Sequence, residues 1–196
     1  AETGQQFKDT GNGVLEIYTR IEANKPYYFY AKSGEKERIF SLIEEGKSFE
    51  ETITPVDATL DETAVYRIKV DFTTTSVTYE KVEKVSIRMS MTSRDTKLQY
   101  DEKGTWKIED YNIRLTKESW GLEERYKIIF TIDGQEVHWG QSGAQYGERP
   151  SISREGYRDL APTEGGQWGG AQFKFPIELC DKSDWARYYS DVVVSM

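Results

Sequence analysis

The sequence predicts an all-β protein, an antiparallel β-sandwich, and three observations carry that expectation. Short runs of alternating apolar and polar residues recur along the chain, VYRIKVDF at 65–72 and RYKIIFTI at 125–132 being the clearest. A period of two marks strands with one buried face. Turn residues separate the runs, above all Asp133-Gly134 between RYKIIFTI and QEVHW, a dipeptide suited to a two-residue hairpin because both positions tolerate positive φ. No stretch holds a helical period; residues 117–126 come nearest, but their shortness and Gly121 favour a turn.

Composition agrees. Of 196 residues only 37% are hydrophobic, but 13% are aromatic, with 13 Tyr, 8 Phe and 5 Trp. Rings bury much area per residue, so a packed core needs few aliphatic side chains. A net charge of −8 argues against nucleic acid as the main partner, because phosphate neutralisation needs a basic surface. No apolar run is long enough to span a bilayer as a helix, so no transmembrane segment is expected. The chain opens on Ala1 without a basic start and apolar h-region, as expected of a mature chain whose export signal has been removed. Cys180 and His138 are the single cysteine and histidine, which leaves no internal disulfide, no zinc site and no Cys/His catalytic pair to expect.

Taken in order, residues 1–12 read as a polar, flexible lead-in. Val14–Ile21 reads as a short strand, Pro26–Tyr30 as a second with proline at its first residue, and Glu37–Leu42 as a third after the turn at Lys32–Glu35. Residues 43–63 are acidic and aperiodic, a connection. Tyr66, Ile68, Val70 and Phe72 then share one face, Thr73–Thr75 turn the chain, and Ser76–Val82 returns with Val77 and Tyr79 inward. Val85–Met91 reads as a further strand, Leu98–Tyr100 as a short one, and Thr105–Ile108 places Trp106 and Ile108 together. In the 125–132 strand Tyr126, Ile128, Phe130 and Ile132 share a face; Gln172–Leu179 alternates, with Pro176 marking an edge or bulge, and Trp185–Val194 closes the chain.

A weak internal repeat underlies the expected division into a first β module at 13–83 and a second at 84–196. Setting Gly34 on Gly134 aligns YYFYAKSGEKERI with IIFTIDGQEVHW, and setting Tyr66 on Phe173 aligns YRIKVDF with FKFPIEL. Under that duplication the first copy lacks a counterpart of residues 85–100, so it is expected to be truncated and the chain a fragment of a longer one.

Between the hairpin at Asp133-Gly134 and the strand at 172 lies WGQSGAQYGERPSISREGYRDLAPTEGGQWGG, Trp139 to Gly170. A connection that long is either functional or conceals an element. It carries Trp139, Tyr146, Tyr157 and Trp168 among Arg149, Arg154, Arg158, Glu148 and Asp159. Flat rings stack on apolar faces such as those of sugars, while Arg and carboxylate groups bind hydroxyls. Trp139, Tyr146, Arg149, Tyr157, Arg158 and Trp168 are therefore the candidate ligand-binding residues, with Trp120 nearby and Tyr27 and Tyr28 as first-half equivalents. Two readings stay open for Trp139 and Trp168, a sugar platform or the ends of buried strands. The chain contains no P-loop, GxGxxG, GxSxG or HExxH pattern, and no carboxylate pair stands out for glycoside hydrolysis. A non-catalytic protein without cofactor or metal is expected. The same rings would serve a protein–protein interface, which is the alternative.

The runs GVLEIYTRIEANKPYYFYA, VYRIKVDFTTTSVTYEKV, LQYDEKGTWKI, ERYKIIFTIDGQEVHWG and GGQWGGAQFKFPIEL resemble the SusE/SusF-type proteins of Bacteroidetes. The resemblance covers most of the chain from Gly13 onward. It implies tandem immunoglobulin-like or carbohydrate-binding-module-like sandwiches that bind polysaccharide without catalysis, and a lipid-anchored place on the extracellular face of the bacterial outer membrane. It also implies proteins of a glycan-import complex as partners. The family's lipid-anchored N-terminal Cys is missing from this chain. Sugar-contacting residues vary between modules of that family, so the candidate residues rest on the ring-bearing stretch alone.

Overall fold

A computed structural model describes residues 4–33, 36–41, 51–52, 60–89, 94–115, 125–141, 159–163, 165, 173–174 and 186–196. Among the described residues there are fourteen strands and no helix. The protein is all-β with antiparallel ladders. Two compact units divide the chain, Ala1–Val82 with Asp101–Thr105 and Met196, and Glu83–Tyr100 with Trp106–Ser195.

The first unit opens with β1 (Lys8–Gly11) and β2 (Val14–Ile21) and continues through β3 (Tyr28–Ser33), β4 (Lys36–Ser41) and the short β5 (Glu51–Thr52). It returns with β6 (Ala64–Asp71) and the first half of β7 (Ser76–Met89). Strands β1, β2, β6 and β7 are hydrogen-bonded neighbours in that order, while β3, β4 and β5 form a separate sheet. β1 lies in the stretch read as lead-in; it is exposed along its whole length, so no apolar alternation announced it. Ile17, Ile21, Tyr66, Ile68, Val70, Val77 and Tyr79 make one buried cluster, which Phe29 of β3 joins. Val70 and Val77 are cross-strand partners and both fully buried. Each such side chain contributes about 1.5–3 kcal/mol by leaving water.

On the opposite face Arg67 lies between its cross-strand partners Tyr18 and Glu80. It donates to both carboxylate oxygens of Glu80, Nε to Oε1 at 3.2 Å and Nη2 to Oε2 at 2.6 Å, the two-pronged geometry that a guanidinium favours. Burial is the main reason the Tyr18 phenol is pushed well above its ordinary pKa. At the end of β6 the Asp71 carboxylate accepts from Thr73 N at 2.8 Å and Thr73 Oγ1 at 2.6 Å, closing the turn into β7. The chain leaves the ladder there, so Phe72, expected inward with Tyr66, Ile68 and Val70, is 40% exposed.

β7 also joins two runs that read as separate strands. Nothing between Lys81 and Lys84 is a turn residue, and one strand runs through from Ser76 to Met89. The buried face slips instead: Val82 is buried and Glu83 exposed, against the phase kept by Val77, Tyr79, Val85, Ile87 and Met89.

The second unit takes the rest of β7 and adds β8 (Asp95–Tyr100), β9 (Thr105–Leu115), β10 (Arg125–Ile132), β11 (Gln135–Gln141), β12 (Leu160–Thr163), β13 (Phe173–Lys174) and β14 (Ala186–Ser195). Strands β7, β10, β11 and β12 are neighbours in order; β8 pairs with β7 and β9, β13 with β10, and β14 with β9. The Asp133-Gly134 hairpin forms as its residues require, with φ of 48° and 76° and Ile132 opposite Gln135. Val85 lies opposite Leu98; with Ile87, Met89, Trp106, Ile128, Phe130 and Ile132 they are buried. The rings interlock edge-on, Tyr100 to Trp106 at 5.2 Å and Trp106 to Phe130 at 5.1 Å between centroids. β10 is buried on both faces: alternating with Ile128, Phe130 and Ile132 stand Arg125, Lys127 and Ile129, all buried too. That explains the unbroken Ile128-Ile129-Phe130 run.

Candidate functional site

β11 is where the predicted site meets the described structure. Its residues alternate, and the hairpin register sets Trp139 opposite Ile128 of β10. On its other side Trp139 faces Pro162 of β12, and Gln141 faces Leu160. The half-buried indole of Trp139 meets the Phe130 ring edge-on, centroids 6.2 Å apart and planes at 60°. Trp139 Nε1 and Gln141 Oε1 are both buried and have no hydrogen-bond partner. Trp139 therefore ends neither as a wholly exposed platform nor as a fully enclosed core ring.

Of the other candidates, Tyr146, Arg149, Tyr157, Arg158 and Trp168 lie outside the described residues, as does Trp120. Of the ring-bearing stretch, residues 139–141, 159–163 and 165 are described. Gln141 at the end of β11 and Leu160 at the start of β12 are direct cross-strand partners. Adjacent strands lie about 4.8 Å apart, so Gln141 and Leu160, which bound residues 142–159 in the chain, stand side by side. β12 itself lies inside the stretch read as a single connection; Leu160-Ala-Pro-Thr163 has no alternation, and Pro162 fits only an edge position. From β12 the chain passes to β13, where Phe173 pairs with Tyr126 and the two rings stack at 5.1 Å and 16°. Tyr146, Arg149, Tyr157 and Arg158 thus fall between β11 and β12 in the chain, and Trp168 between β12 and β13.

The alternate residues of β11 belong to a polar cluster that the sequence did not reveal. Arg88 of β7 donates to its cross-strand partner Asp95, Nε to Oδ1 at 2.6 Å and Nη2 to Oδ2 at 2.8 Å. It also donates to Glu136 of β11, Nη2 to Oε1 at 2.7 Å and Nη1 to Oε2 at 3.0 Å. His138 Nε2 lies 3.0 Å from Glu136 Oε2, while its Nδ1 is buried with no partner. Hydrogen bonding from Arg88 is the largest cause holding the Glu136 carboxyl down at about 2. Both Glu136 oxygens are engaged and its proton is lost far below neutrality, so it is poorly suited to act as a general acid or base there. The cluster fastens strands. Its pattern is invisible in one dimension because Arg88 and Glu136 are 48 residues apart. Among the described residues no three of His, Cys, Asp and Glu stand together as a metal site.

The first unit presents described rings of its own. Tyr28 and Tyr30 are exposed at 46% and 37%, and Phe29 between them is buried in the core. Tyr27 is half-buried, and its hydroxyl accepts from Glu22 N at 3.1 Å. Tyr28 and Tyr30 lie on one face of β3, as the period of a strand dictates. Of the two rings that the sequence offers in the first half, Tyr27 and Tyr28, the second is the exposed one.

No protein-family model, curated protein or solved structure matches this chain.

Proposed function

We propose that this protein binds polysaccharide or oligosaccharide without catalysis, as part of a glycan-utilisation system on the bacterial cell surface. In this reading the chain is built of immunoglobulin-like or carbohydrate-binding-module-like sandwich modules in tandem. The observation that carries the reading is the β11–β12 register. It pins both ends of a stretch containing Tyr146, Arg149, Tyr157 and Arg158 to adjacent strands, with Trp139 at its root. A ring-bearing segment closed on a sheet edge suits recognition, because the scaffold bears the folding energy and leaves the segment free to vary. The exposed Tyr28 and Tyr30 of β3 add a second ring pair of the kind that stacks on sugars. The likeness to SusE/SusF-type proteins supplies the place, the extracellular face of the outer membrane with a lipid anchor in the longer chain, and the partners, a glycan-import complex.

A protein-binding domain of a cell-surface complex is the second reading. Exposed Tyr28 and Tyr30 favour it as well, since tyrosine is enriched among the residues that dominate protein interfaces.

A glycan array probed with the labelled protein separates the two. Retention on a defined set of polysaccharides supports the first. Silence on every glycan, together with a stable complex formed by purified import-complex proteins, replaces it with the second.

A further inference from the structure

Of the three asparagines in the chain, Asn12, Asn24 and Asn112, only Asn12 precedes a glycine; Lys25 follows Asn24 and Ile113 follows Asn112. A backbone nitrogen next to asparagine is placed to attack the side-chain amide carbon, and glycine brings no Cβ to hinder the approach. Asn12 and Gly13 are the two-residue loop of the β1–β2 hairpin, with φ of 55° and 79°, the conformation for which an Asn-Gly pair is suited. Both residues are exposed, and no hydrogen bond among the described residues holds the Asn12 carboxamide.

Ring closure needs the Gly13 nitrogen to swing onto Asn12 Cγ, so the turn must open first. Little holds it shut. β1 is four residues long, exposed throughout, and the outermost strand of its sheet among the described residues. Its register slips between Asp9 and Gly11, leaving three partner pairs. The side-chain bonds at the turn, Gly11 N to Asp9 Oδ1 and Thr10 Oγ1 to Val14 O, are open to water. From outside the hairpin Phe72 N donates to Gly13 O at 2.9 Å. An exposed edge of this kind opens at low free-energy cost.

We propose that Asn12-Gly13 is a site of spontaneous modification whose product releases β1. Once hydroxide has taken its proton, the Gly13 nitrogen bonds to Asn12 Cγ, the Cγ–Nδ2 bond breaks, and ammonia leaves. Water then opens the succinimide at either carbonyl. Opening at Cγ breaks the new bond and leaves aspartate. Opening at the main-chain carbon breaks the original peptide bond and leaves isoaspartate, with the backbone running through the former side chain. Isoaspartate adds a methylene to a turn that spans two residues, so the Gly11–Val14 pairing is lost. β1 leaves the ladder, and the unpaired edge of β2 becomes a template for another strand.

The test ages the wild-type protein at neutral and mildly alkaline pH and maps its peptides by mass spectrometry, with an isoaspartate-specific methyltransferase to separate the two products. Asn12 is expected to convert, faster at the higher pH and chiefly to isoaspartate, while Asn24 and Asn112 stay intact. Asn24 is also exposed, with φ of 58°, so it isolates the effect of the following residue. Hydrogen exchange then compares aged protein with fresh protein and with Asn12→Asp, which gains the charge without the methylene. Protection of β1 is expected to be lost on ageing and kept in Asn12→Asp. An Asn12 that survives in the folded protein but converts in urea overturns the proposal, because the fold then locks the turn. Conversion that leaves β1 as protected as before refutes the release, as does a β1 already unprotected in fresh protein. Loss of protection in Asn12→Asp would refute the role given to the methylene.

Discussion

Arg88 and Glu136 meet across an intervening strand. The guanidinium on β7 passes β10 to place Nη2 2.7 Å from Glu136 Oε1 on β11, while still holding Asp95 on β8. One side chain thereby ties three strands of the second unit together.

Replacing Arg88 by methionine keeps the stem and removes the clasp. Arg88 is only 24% exposed, so the loss falls between the small cost of surface pairs and the large cost of buried ones, about 1–3 kcal/mol. Urea unfolding checks the magnitude, and a cycle with Glu136→Gln should return a coupling near 1 kcal/mol. Strict additivity of the two changes would show that the pair contributes nothing.

The same carboxylate gives the fold an acid sensitivity. Glu136 is depressed from the usual 4.5 to about 2, first by its hydrogen bonds from Arg88. A depressed acid stabilises the fold above its unfolded pKa, and that contribution is lost as pH falls through the folded value. The stability difference between wild type and Glu136→Gln should be constant above about pH 5 and shrink from there toward pH 2. A difference that stays flat over that range, followed by chemical denaturation, would contradict the assignment.

Phe130 is fully buried between Trp106 and Trp139. Phe130→Ala should cost about 3–5 kcal/mol by lost transfer energy and the cavity left behind. Val193, half exposed on β14, should lose no more than about 0.5 kcal/mol on the same truncation. Comparing the two denaturation midpoints checks the core that the structure draws.

Two turn glycines should respond differently to alanine. Both have positive φ, 73° at Gly104 and 76° at Gly134. A Cβ at Gly134 meets nothing within 4 Å, whereas one at Gly104 would lie 3.0 Å from Tyr18 O and 3.1 Å from Met196 O. Gly134→Ala should cost about 1 kcal/mol for the backbone conformation alone. Gly104→Ala must also displace backbone and should cost clearly more, as thermal melts of the two variants would show.

How much of this was legible in the sequence follows from where the physics is local. The Asp133-Gly134 hairpin and the inward row Tyr66, Ile68 and Val70 were readable because turn chemistry and strand period act over a few residues. The run of β7 through residues 81–84 was not, since a change of buried face imitates a break between strands. β1 and β12 escaped because an exposed strand and an edge strand with a proline carry no alternation. Tyr28 and Tyr30 turned outward and Phe29 inward, a choice between two phases of an all-aromatic run that only the packing partner decides. Of the six candidate site residues only Trp139 is described; its neighbours Pro162 and Gln141 come from strand pairing, and the Arg88 cluster depends on strand order alone.

The central claim is that rings in the stretch after β11 bind a glycan. Affinity electrophoresis of wild type and Trp168→Ala through gels carrying a panel of polysaccharides, with thermal melts alongside, tests it most directly. The account predicts that one or more polysaccharides retard the wild type, and that Trp168→Ala loses the retardation while melting within a few degrees of it. No retardation by any polysaccharide, with a melt lowered sharply by the mutation, would contradict it and assign Trp168 to the core.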